Sequence, residues 1–509
     1  MESLSENKRI AKNTLLLYIR MFLIILVNLY MSRVVLKALG VEDYGLYSVV
    51  GSVVTFLGFL NTAMAAASQR FLSFASGKGD KLKLNSTFNS IIVVQLSLGI
   101  VILFIGESFG VYYIANYLNV NVAKIPAAHI VYQLSLAAFI VHVVTVPYNA
   151  AIIANERMDA FALFSTLDVL FKLGVAFIIS SYSGNRIVFY AAMMLVCTII
   201  VQLCYYSFCR IKFKECVVHR NASKKTIQDV LVYSGWNLMG SMSAVAIDQG
   251  VNMILNSFFG VVVNAARGIA FQVSTAVSQL AGNFMQAMNP QIVKNYAKGD
   301  IDRMHTLIIQ GTRLSYFLLF ICAMPLLFSM NGILKVWLED VPDYTYCFCI
   351  LVIVNCVLSS LAQPLLMGAM ATGRIKKYQI IVAFINMLNI PFSIIALNII
   401  PDPYLTVYIM ITLTVVATIA RLIIVRDLIA LPTRKYILKA IRPIVNVSVL
   451  SVVFAFGINY LLTADEGLLM LFLKICMIFV TTSVCIMLFG VSSNERKMAL
   501  DYIISKMKK

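Results

Sequence analysis

The chain has 509 residues, of which 60% are apolar and only 13% are charged, and its mean hydropathy is +0.87. This composition excludes a soluble or disordered protein and is typical of an all-α integral membrane protein. The formal net charge of +18 does not indicate nucleic-acid binding, because no soluble basic segment could hold a duplex. Ten cysteines without a C-x-x-C pair and only four histidines indicate neither a disulfide framework nor a metal site.

About fourteen apolar segments, each long enough to cross a bilayer, follow one another along the chain. A spanning helix needs roughly 20 apolar residues. The count is open by one or two, because some neighbours are separated only by a short breaker such as Pro401-Asp402-Pro403. The predicted spans are 14–36, 44–67, 88–111, 127–151, 160–181, 187–209, 230–254, 265–289, 306–329, 344–369, 378–400, 404–425, 443–462 and 468–490.

The distribution of lysine and arginine predicts the orientation. With the N-terminus in the cytoplasm, 30 of the 41 basic residues fall in cytoplasmic segments and six fall inside spans. Only five fall on the opposite side: Lys37, Lys124, Arg186, Arg267 and Lys335. By the positive-inside rule we expect both termini in the cytoplasm. The positive charge then reflects topology and contact with anionic lipids.

An internal repeat relates the two halves of the chain. Three short motifs recur in order at shifts of 220, 220 and 217 residues, at equivalent points of the predicted topology. The matched pairs are Gly40-Val41 with Gly260-Val261, Lys78-Gly79-Asp80 with Lys298-Gly299-Asp300, and Pro147…Ala154-x-x-Arg157 with Pro364…Ala371-x-x-Arg374. Because six spans are an even number, both copies should enter the membrane in the same direction.

The repeat predicts a fold of two six-helix bundles related by a pseudo-twofold axis along the membrane normal, plus two C-terminal helices. The expected domains are an N-terminal bundle at 1–209, a basic cytoplasmic linker at 210–229, a second bundle at 230–425, and helices 13 and 14 with the tail at 426–509. Two such bundles leave a cleft that can open to either side in turn. The repeat therefore indicates transport by alternating access.

Polar side chains lie on one face of predicted span seven. Asn237, Ser241, Asp248 and Asn252 fall within about 60° of one another on a helix. They either hydrogen-bond between helices inside the bundle or form a wall of a water-filled cavity. Asn28 in span one lies 220 residues before Asp248, so the repeat places polar groups at equivalent points. Asp248 is the natural candidate for H⁺ or Na⁺ coupling.

Arginines inside spans are the other candidates for a substrate cavity. Arg20 in span one and Arg313 in span nine lie one to two turns from the cytoplasmic ends, so each either extends to lipid phosphates or faces a cavity. Arg33 lies near the outer end of span one and could form an outer mouth. Arg421 lies closer to its cytoplasmic end, which favours contact with lipid phosphates. A cationic cavity would suit a phosphate-bearing substrate, because arginine is an always-charged, forked donor.

Three segments resemble the signature of bacterial polysaccharide exporters. They are Leu39-Gly40-Val41-Glu42-Asp43-Tyr44-Gly45-Leu46-Tyr47, Gln69-Arg70-Phe71 and the basic Gly-Lys-Gly-Asp loop. This family holds the O-antigen and lipid-linked oligosaccharide flippases of the multidrug/oligosaccharidyl-lipid/polysaccharide superfamily, which is MATE-like. The resemblance implies flipping of undecaprenyl-diphosphate-linked sugar units across the bacterial inner membrane, with both termini cytoplasmic, for surface polysaccharide or lipopolysaccharide synthesis. It also implies a cationic central cavity, and a polysaccharide polymerase and other assembly proteins as partners.

Related functions stay open at this stage. The alternatives are a MATE-like multidrug or cation antiporter and a lipid II flippase, although the basic residues inside spans favour an anionic substrate. A membrane glycosyltransferase or polymerase is less favoured, because the longest outer segments, 112–126 and 330–343, are too short to hold an acceptor. We therefore expect no enzyme, no catalytic residues and no cofactor. No Walker A motif is present, so energy would come from an ion gradient or from consumption of the product.

Overall fold

The computed structural model describes residues 2–40, 43, 46–47, 50–51, 54, 57–116, 124–219, 221–259, 261–338, 341–462, 467–491 and 496. This part of the chain is nearly all helical, and it contains no β-strand. A helix satisfies its backbone hydrogen bonds within one segment, as hydrocarbon surroundings require. The predicted all-α fold class is therefore confirmed.

The chain divides into two compact units, of which the N-terminal unit comprises Met1–Ser241 and Val293–Gly299. A five-residue π-helical turn, Gly106–Gly110, interrupts its third helix. The unit contains α1 (Glu2–Leu39), α2 (Gly58–Gly77), α3 (Lys81–Ile105), α4 (Val111–Asn116), α5 (Ile125–Ala154), α6 (Met158–Ile178), α7 (Arg186–Lys212) and the first part of α8 (Lys224–Phe259).

The C-terminal unit comprises Met242–Ile292 and Asp300–Lys509. It takes in the last part of α8 and most of the helix that follows, and π turns at Ile437–Ile441 and Ile486–Gly490 adjoin its last two helices. The unit contains α9 (Val261–Lys298), α10 (Ile301–Leu338), α11 (Thr345–Ser359), α12 (Ala362–Thr372), α13 (Lys376–Met387), α14 (Asn389–Ile399), α15 (Leu405–Ile429), α16 (Thr433–Tyr436), α17 (Arg442–Leu461) and α18 (Gly467–Cys485).

Eleven helical segments of the described chain are long and apolar enough to cross a membrane, and each corresponds to one predicted span. The other three predicted spans differ. In α1 the apolar stretch is Asn13–Asn28, shorter than the predicted 14–36. The predicted span 44–67 lies partly outside the described residues. The predicted span 265–289 lies within α9, a 38-residue helix whose polar side chains keep it out of the apolar set.

Large apolar side chains are exposed on the outer surfaces of these helices. Phe104 is 70% exposed, Ile399 is 74% exposed and Leu461 is 77% exposed. Such exposure would be costly in water, but in a bilayer the side chains contact lipid tails instead. Helical spans with apolar outer faces establish a multi-pass integral membrane protein.

The repeated motifs adopt the same local backbone. Gly79 and Gly299 both have positive φ, 74° and 83°, just after the ends of α2 and α9. The next residue caps the following helix in each copy: Asp80 accepts from the Lys83 amide at 3.1 Å, and Asp300 accepts from the Arg303 amide at 3.0 Å. This is the geometry that a helix stop followed by an aspartate N-cap requires.

The third motif also repeats in its backbone conformation. Glu156 has φ of 60° after α5, and Gly373, 217 residues later, has φ of 77° after α12. The left-handed conformation ends a helix readily at glycine but at a cost at glutamate. Equal turns at matched positions support the internal repeat that the sequence predicts.

The predicted linker 210–229 packs on α3. Asn85 donates hydrogen bonds to the carbonyl oxygens of Glu215 and Val217, both at 2.8 Å. The backbone amide of His219 donates to Asn89 at 3.0 Å. These bonds satisfy backbone groups that no helix partner reaches, so the linker is an ordered part of the N-terminal unit.

Each unit has its own core. In the N-terminal unit the fully buried Tyr132 of α5 donates its hydroxyl to the carbonyl oxygen of Gly106, 2.6 Å away in the π turn. A Cβ atom at Gly110 would lie 1.9 Å from the same hydroxyl oxygen, so only glycine fits there. In the C-terminal unit, α10 packs against α11, α12, α17 and α18. Predicted helices 13 and 14 are thus part of that unit.

Candidate functional site

The polar face of α8 spans the division between the two units. Asn237 is buried in the N-terminal unit and hydrogen-bonds the Tyr233 side chain one turn earlier. Ser241 is half-buried and is the last residue of that unit. Asp248 and Asn252 belong to the C-terminal unit. The four side chains therefore have two different sets of neighbours, although they share one helix face.

Asp248 and Asn252 are brought together by an arginine from α9. Arg267 donates to the Asp248 carboxylate at 2.8 Å and to the Asn252 side-chain oxygen at 2.5 Å. Its guanidinium also lies 4.2 Å from the centre of the Phe271 ring. Arg267 is 5% exposed, whereas the Asp248 side chain is 43% exposed. A buried cation is thus neutralised by a carboxylate that water can reach.

The sequence stage did not single out Arg267, because it counted this residue among the five basic residues outside the membrane. The structure corrects that placement: Arg267 lies two turns inside α9, and its side chain is buried. Helices α8 and α9 are joined at position 260, so residues near that junction must lie close together. A polar face on α8 opposite a nearby arginine was the available signal.

Arg20 of α1 is held against α6 within the N-terminal unit. Its Nε donates to the Ser165 hydroxyl, and its guanidinium lies 4.6 Å from the centre of the Phe161 ring. Both partners lie on one face of α6, one turn apart. The arginine is therefore positioned by protein contacts and need not extend to lipid phosphates. Asn28 on the same helix is exposed, and the side chain of Arg33 lies outside what the structure describes.

Arg70 of α2 is the second cation that the sequence stage did not select as a site residue. It is 9% exposed. Its guanidinium lies 4.6 Å, 5.0 Å and 5.4 Å from the ring centres of Phe71, Phe74 and Tyr233, respectively. Aromatic faces attract a guanidinium, more strongly where water is excluded. Through Tyr233, this cage adjoins Asn237 on α8, so the Gln69-Arg70-Phe71 segment is next to the predicted polar face.

Arg313 of α10 is buried within the C-terminal unit at 7% exposure. One of its terminal nitrogens donates to the carbonyl oxygen of Lys439 at 3.5 Å, in the π turn before α17. A π turn displaces backbone carbonyl groups from regular helix pairing, which makes them available to a side chain. Arg20 and Arg313 therefore each contact their own unit, and the predicted cleft between the bundles stays a prediction.

A buried ion pair lies at the end of the N-terminal unit that the sequence assigns to the cytoplasm. Lys294 near the end of α9 donates to the Glu156 carboxylate at 2.7 Å, and the Glu156 side chain is 1% exposed. The Asn13 side chain donates to the Glu156 carbonyl oxygen at 3.2 Å. These bonds compensate for the left-handed backbone of Glu156, and they fix the ends of α1, α5 and α9 to one another.

Metal-binding groups were also sought among the described residues. No cluster of three or more histidine, cysteine, aspartate or glutamate side chains occurs there. The described cysteines are unpaired thiols within or beside helices. The polar chemistry of the described chain consists of arginines, lysines, amides and hydroxyls.

The fold is that of MATE transporters of the MOP superfamily. A MATE structure in the bent conformation superposes with a TM-score of 0.73 at 14% identity, over 85% of this chain and 97% of that one. An outward-facing multidrug resistance MATE transporter gives 0.71 at 14% identity, over 84% and 96%. A MOP superfamily transporter from Pyrococcus furiosus, whose binding pocket has reverse polarity, gives 0.71 at 15% identity, over 84% and 96%.

At the level of sequence, the chain is similar to the uncharacterized membrane protein EpsK of Bacillus subtilis strain 168. The two are 19% identical over 317 residues, which is 62% of this chain and 62% of that protein. The match therefore spans less than two thirds of the relative's length. No protein-family model matches the sequence.

Proposed function

We propose that this protein is a transporter that moves undecaprenyl-diphosphate-linked oligosaccharide units across the bacterial cytoplasmic membrane by alternating access. The MATE-type fold supports transport, and the exporter-like segments of the sequence support this class of substrate. The products would serve surface polysaccharide synthesis. A polysaccharide polymerase and other assembly proteins would receive them, and anionic lipids would contact the basic cytoplasmic surface.

The observation that carries the proposal is the balance of charge inside the helices. Among the described residues, two carboxylates lie well away from the ends of the candidate spans, and each is paired with a cation. Asp168 accepts from Lys172 at 2.7 Å, and Asp248 accepts from Arg267 at 2.8 Å. Further cations lie within the helices: Arg20, Arg70, Arg313, Arg421 and Lys474.

This excess of cations favours an anionic substrate over a cationic drug. A charge in the membrane is costly unless something compensates for it, and a diphosphate passing through would compensate for arginines. The reverse-polarity pocket of the Pyrococcus furiosus transporter indicates that this fold accommodates pockets of different charge. For coupling to H⁺ or Na⁺, the solvent-accessible carboxylate of Asp248 is the proposed site, with Arg267 as the group that an incoming cation would displace.

The proposal is tested with purified protein in liposomes. A fluorescent undecaprenyl-diphosphate oligosaccharide is placed in both leaflets, and a membrane-impermeant quencher measures how much of it reaches the outer leaflet with time. We expect quenching to pass the fraction initially outside only when the protein is present. Ethidium accumulation driven by a Na⁺ or H⁺ gradient is measured in the same vesicles. Ethidium transport without movement of the lipid-linked sugar would overturn the proposal in favour of a drug antiporter.

A further inference from the structure

A polar cavity of about 290 Å³ lies entirely within the C-terminal unit. Its walls come from α8, α11, α12, α13, α14 and α15. Eight of its fourteen lining residues are polar, although every wall helix belongs to an apolar candidate span. Polar side chains around a cavity at membrane depth are costly unless they bind water or a ligand. The cavity therefore requires a functional explanation.

The lining carries one cation and no carboxylate. Arg421 of α15 is the cation, and its guanidinium hydrogen-bonds the hydroxyl group of Tyr378 on α13. Its Nε lies buried without a hydrogen-bond partner among the described residues. The sequence favoured contact of this arginine with lipid phosphates, but the structure places it in the wall of an internal cavity. A cationic ligand would be repelled here, whereas an anion would complete the arginine's hydrogen bonding.

Amide groups line the rest of the cavity. Asn355 uses its side-chain oxygen to accept from the Thr414 hydroxyl at 2.8 Å, which leaves its NH₂ group as a donor. Gln363 and Asn386 add two more amides that can both donate and accept. Asn389 accepts from Ser393 at 3.1 Å, which fixes its orientation. Side-chain amides that donate and accept together suit sugar hydroxyl groups, which do the same.

We propose that this cavity binds a phosphate joined to a sugar, with the phosphate at Arg421 and Tyr378 and the sugar hydroxyl groups at the amides of Asn355, Gln363 and Asn386. The volume is at the lower end of ligand pockets, about 300 to 1,000 Å³, and so suits one sugar phosphate. Tyr378 and Arg421 lie toward the helix ends that the sequence assigns to the cytoplasm. The cavity is then a loading site separate from the predicted cleft, and it rests on the proposed function.

Two sources could supply this chemistry: a free sugar phosphate, or the sugar phosphate of a lipid-linked oligosaccharide. Binding to the full-length protein in lipid nanodiscs is therefore measured by calorimetry with glucose 1-phosphate, glucose and orthophosphate. A fluorescent undecaprenyl-diphosphate oligosaccharide is then tested as a competitor. Displacement of glucose 1-phosphate by this lipid assigns the site to the lipid-linked ligand, and a lack of displacement assigns it to the free sugar phosphate.

The variants are Arg421→Gln, which keeps hydrogen-bonding groups but removes the charge, and Asn386→Leu, which removes an amide at similar volume. Arg426→Gln is the matched control, because this arginine lies on the same helix but forms an exposed pair with Asp427. We expect Arg421→Gln to weaken glucose 1-phosphate binding at least about tenfold. Asn386→Leu should abolish the preference for glucose 1-phosphate over orthophosphate. Arg426→Gln should bind as the unmodified protein does.

The proposal is overturned if the unmodified protein binds none of the three small probes, or if Arg421→Gln and Arg426→Gln bind glucose 1-phosphate equally well. If Arg421→Gln does not fold, Asn386→Leu decides, and an unchanged preference for the sugar phosphate overturns the proposal. The outcome is distinguishable from failure of the proposed function. Binding that depends on Arg421, without movement of the lipid-linked sugar in liposomes, would leave the site standing and refute the transport proposal.

Discussion

At the scale of single residues, the chemistry of this membrane protein depends on how each buried cation is compensated. Arg267 has a carboxylate and an amide oxygen, Arg20 has a hydroxyl and an aromatic ring, and Arg70 has three aromatic rings. Only the first is an ion pair. Weaker compensation leaves an arginine able to attract a passing anion, whereas an ion pair satisfies it. Arg20 and Arg70 are therefore better suited to substrate contact than Arg267.

The ion pair between Asp248 and Arg267 gives a stability prediction. Asp248→Asn removes the carboxylate from a buried guanidinium and should lower the free energy of unfolding by about 1–3 kcal/mol. Thermal unfolding of the purified protein in detergent should show a reduced Tm. The double variant Asp248→Asn, Arg267→Met should recover part of the loss, because no buried charge remains. The control is Asp427→Asn, whose arginine partner is exposed; an equal loss of Tm in that variant would show that burial does not matter.

At the scale of helices and turns, the two copies of the Lys-Gly-Asp motif use the same geometry. Each glycine takes a left-handed backbone, and each aspartate caps the next helix. A Cβ atom would meet nothing within 4 Å at Gly79 or Gly299, so the backbone alone requires glycine there. The equivalence of the two motifs is therefore a matter of backbone conformation and can be tested separately from side-chain packing.

Gly79→Ala and Gly299→Ala should each lower the free energy of unfolding by about 1 kcal/mol, because alanine is strained at positive φ. The effects should be similar in the two copies. Gly282→Ala is the matched control: this glycine lies inside α9, also has open space at its Cβ position, and has ordinary helical φ. It should be neutral or slightly stabilising. Thermal unfolding is the measurement, and a loss of stability in the control equal to that in the turn variants would contradict the argument.

The sequence predicted helices better than contacts. Apolar runs are local, so eleven of the fourteen predicted spans correspond to helices that could cross a membrane. The repeat was detectable because its turns need particular residues, such as glycine at positive φ. The partners of Asp248 and Arg421 could not be predicted, because they depend on how α8 meets α9 and α13 meets α15. Span 265–289 misled for the same reason: polar side chains in α9 are compensated by tertiary contacts.

At the scale of the whole molecule, the predicted orientation can be tested by labelling. In a variant whose ten native cysteines are replaced, single cysteines at Lys78, Lys224 or Lys376 should react only with a membrane-permeant reagent in intact cells. A cysteine at Asp343 should react with an impermeant reagent, because the positive-inside rule places this residue outside. Reaction of the Lys224 position with the impermeant reagent would contradict the cytoplasmic assignment of the linker.

The last prediction concerns Arg20 and Arg313, which we expect to border one solvated pathway during transport. A diphosphate crossing the membrane needs fixed cations beside it, and these arginines belong to different units, so each unit would offer one. Arg20→Ala or Arg313→Ala should abolish surface polysaccharide while protein level and membrane insertion stay normal. Arginine-to-lysine variants should keep part of the activity, since the charge remains without the forked geometry.

The control for this prediction is Arg426→Ala, which removes an exposed arginine and should leave export unchanged. Surface polysaccharide is measured by immunoblotting of cells that carry each variant in place of the native protein. Asp248→Asn should reduce export only if H⁺ or Na⁺ drives the step, so its effect should depend on the ion gradient, whereas those of the arginine variants should not. Full export by the Arg20→Ala, Arg313→Ala double variant would show that both arginines serve only to hold helices together.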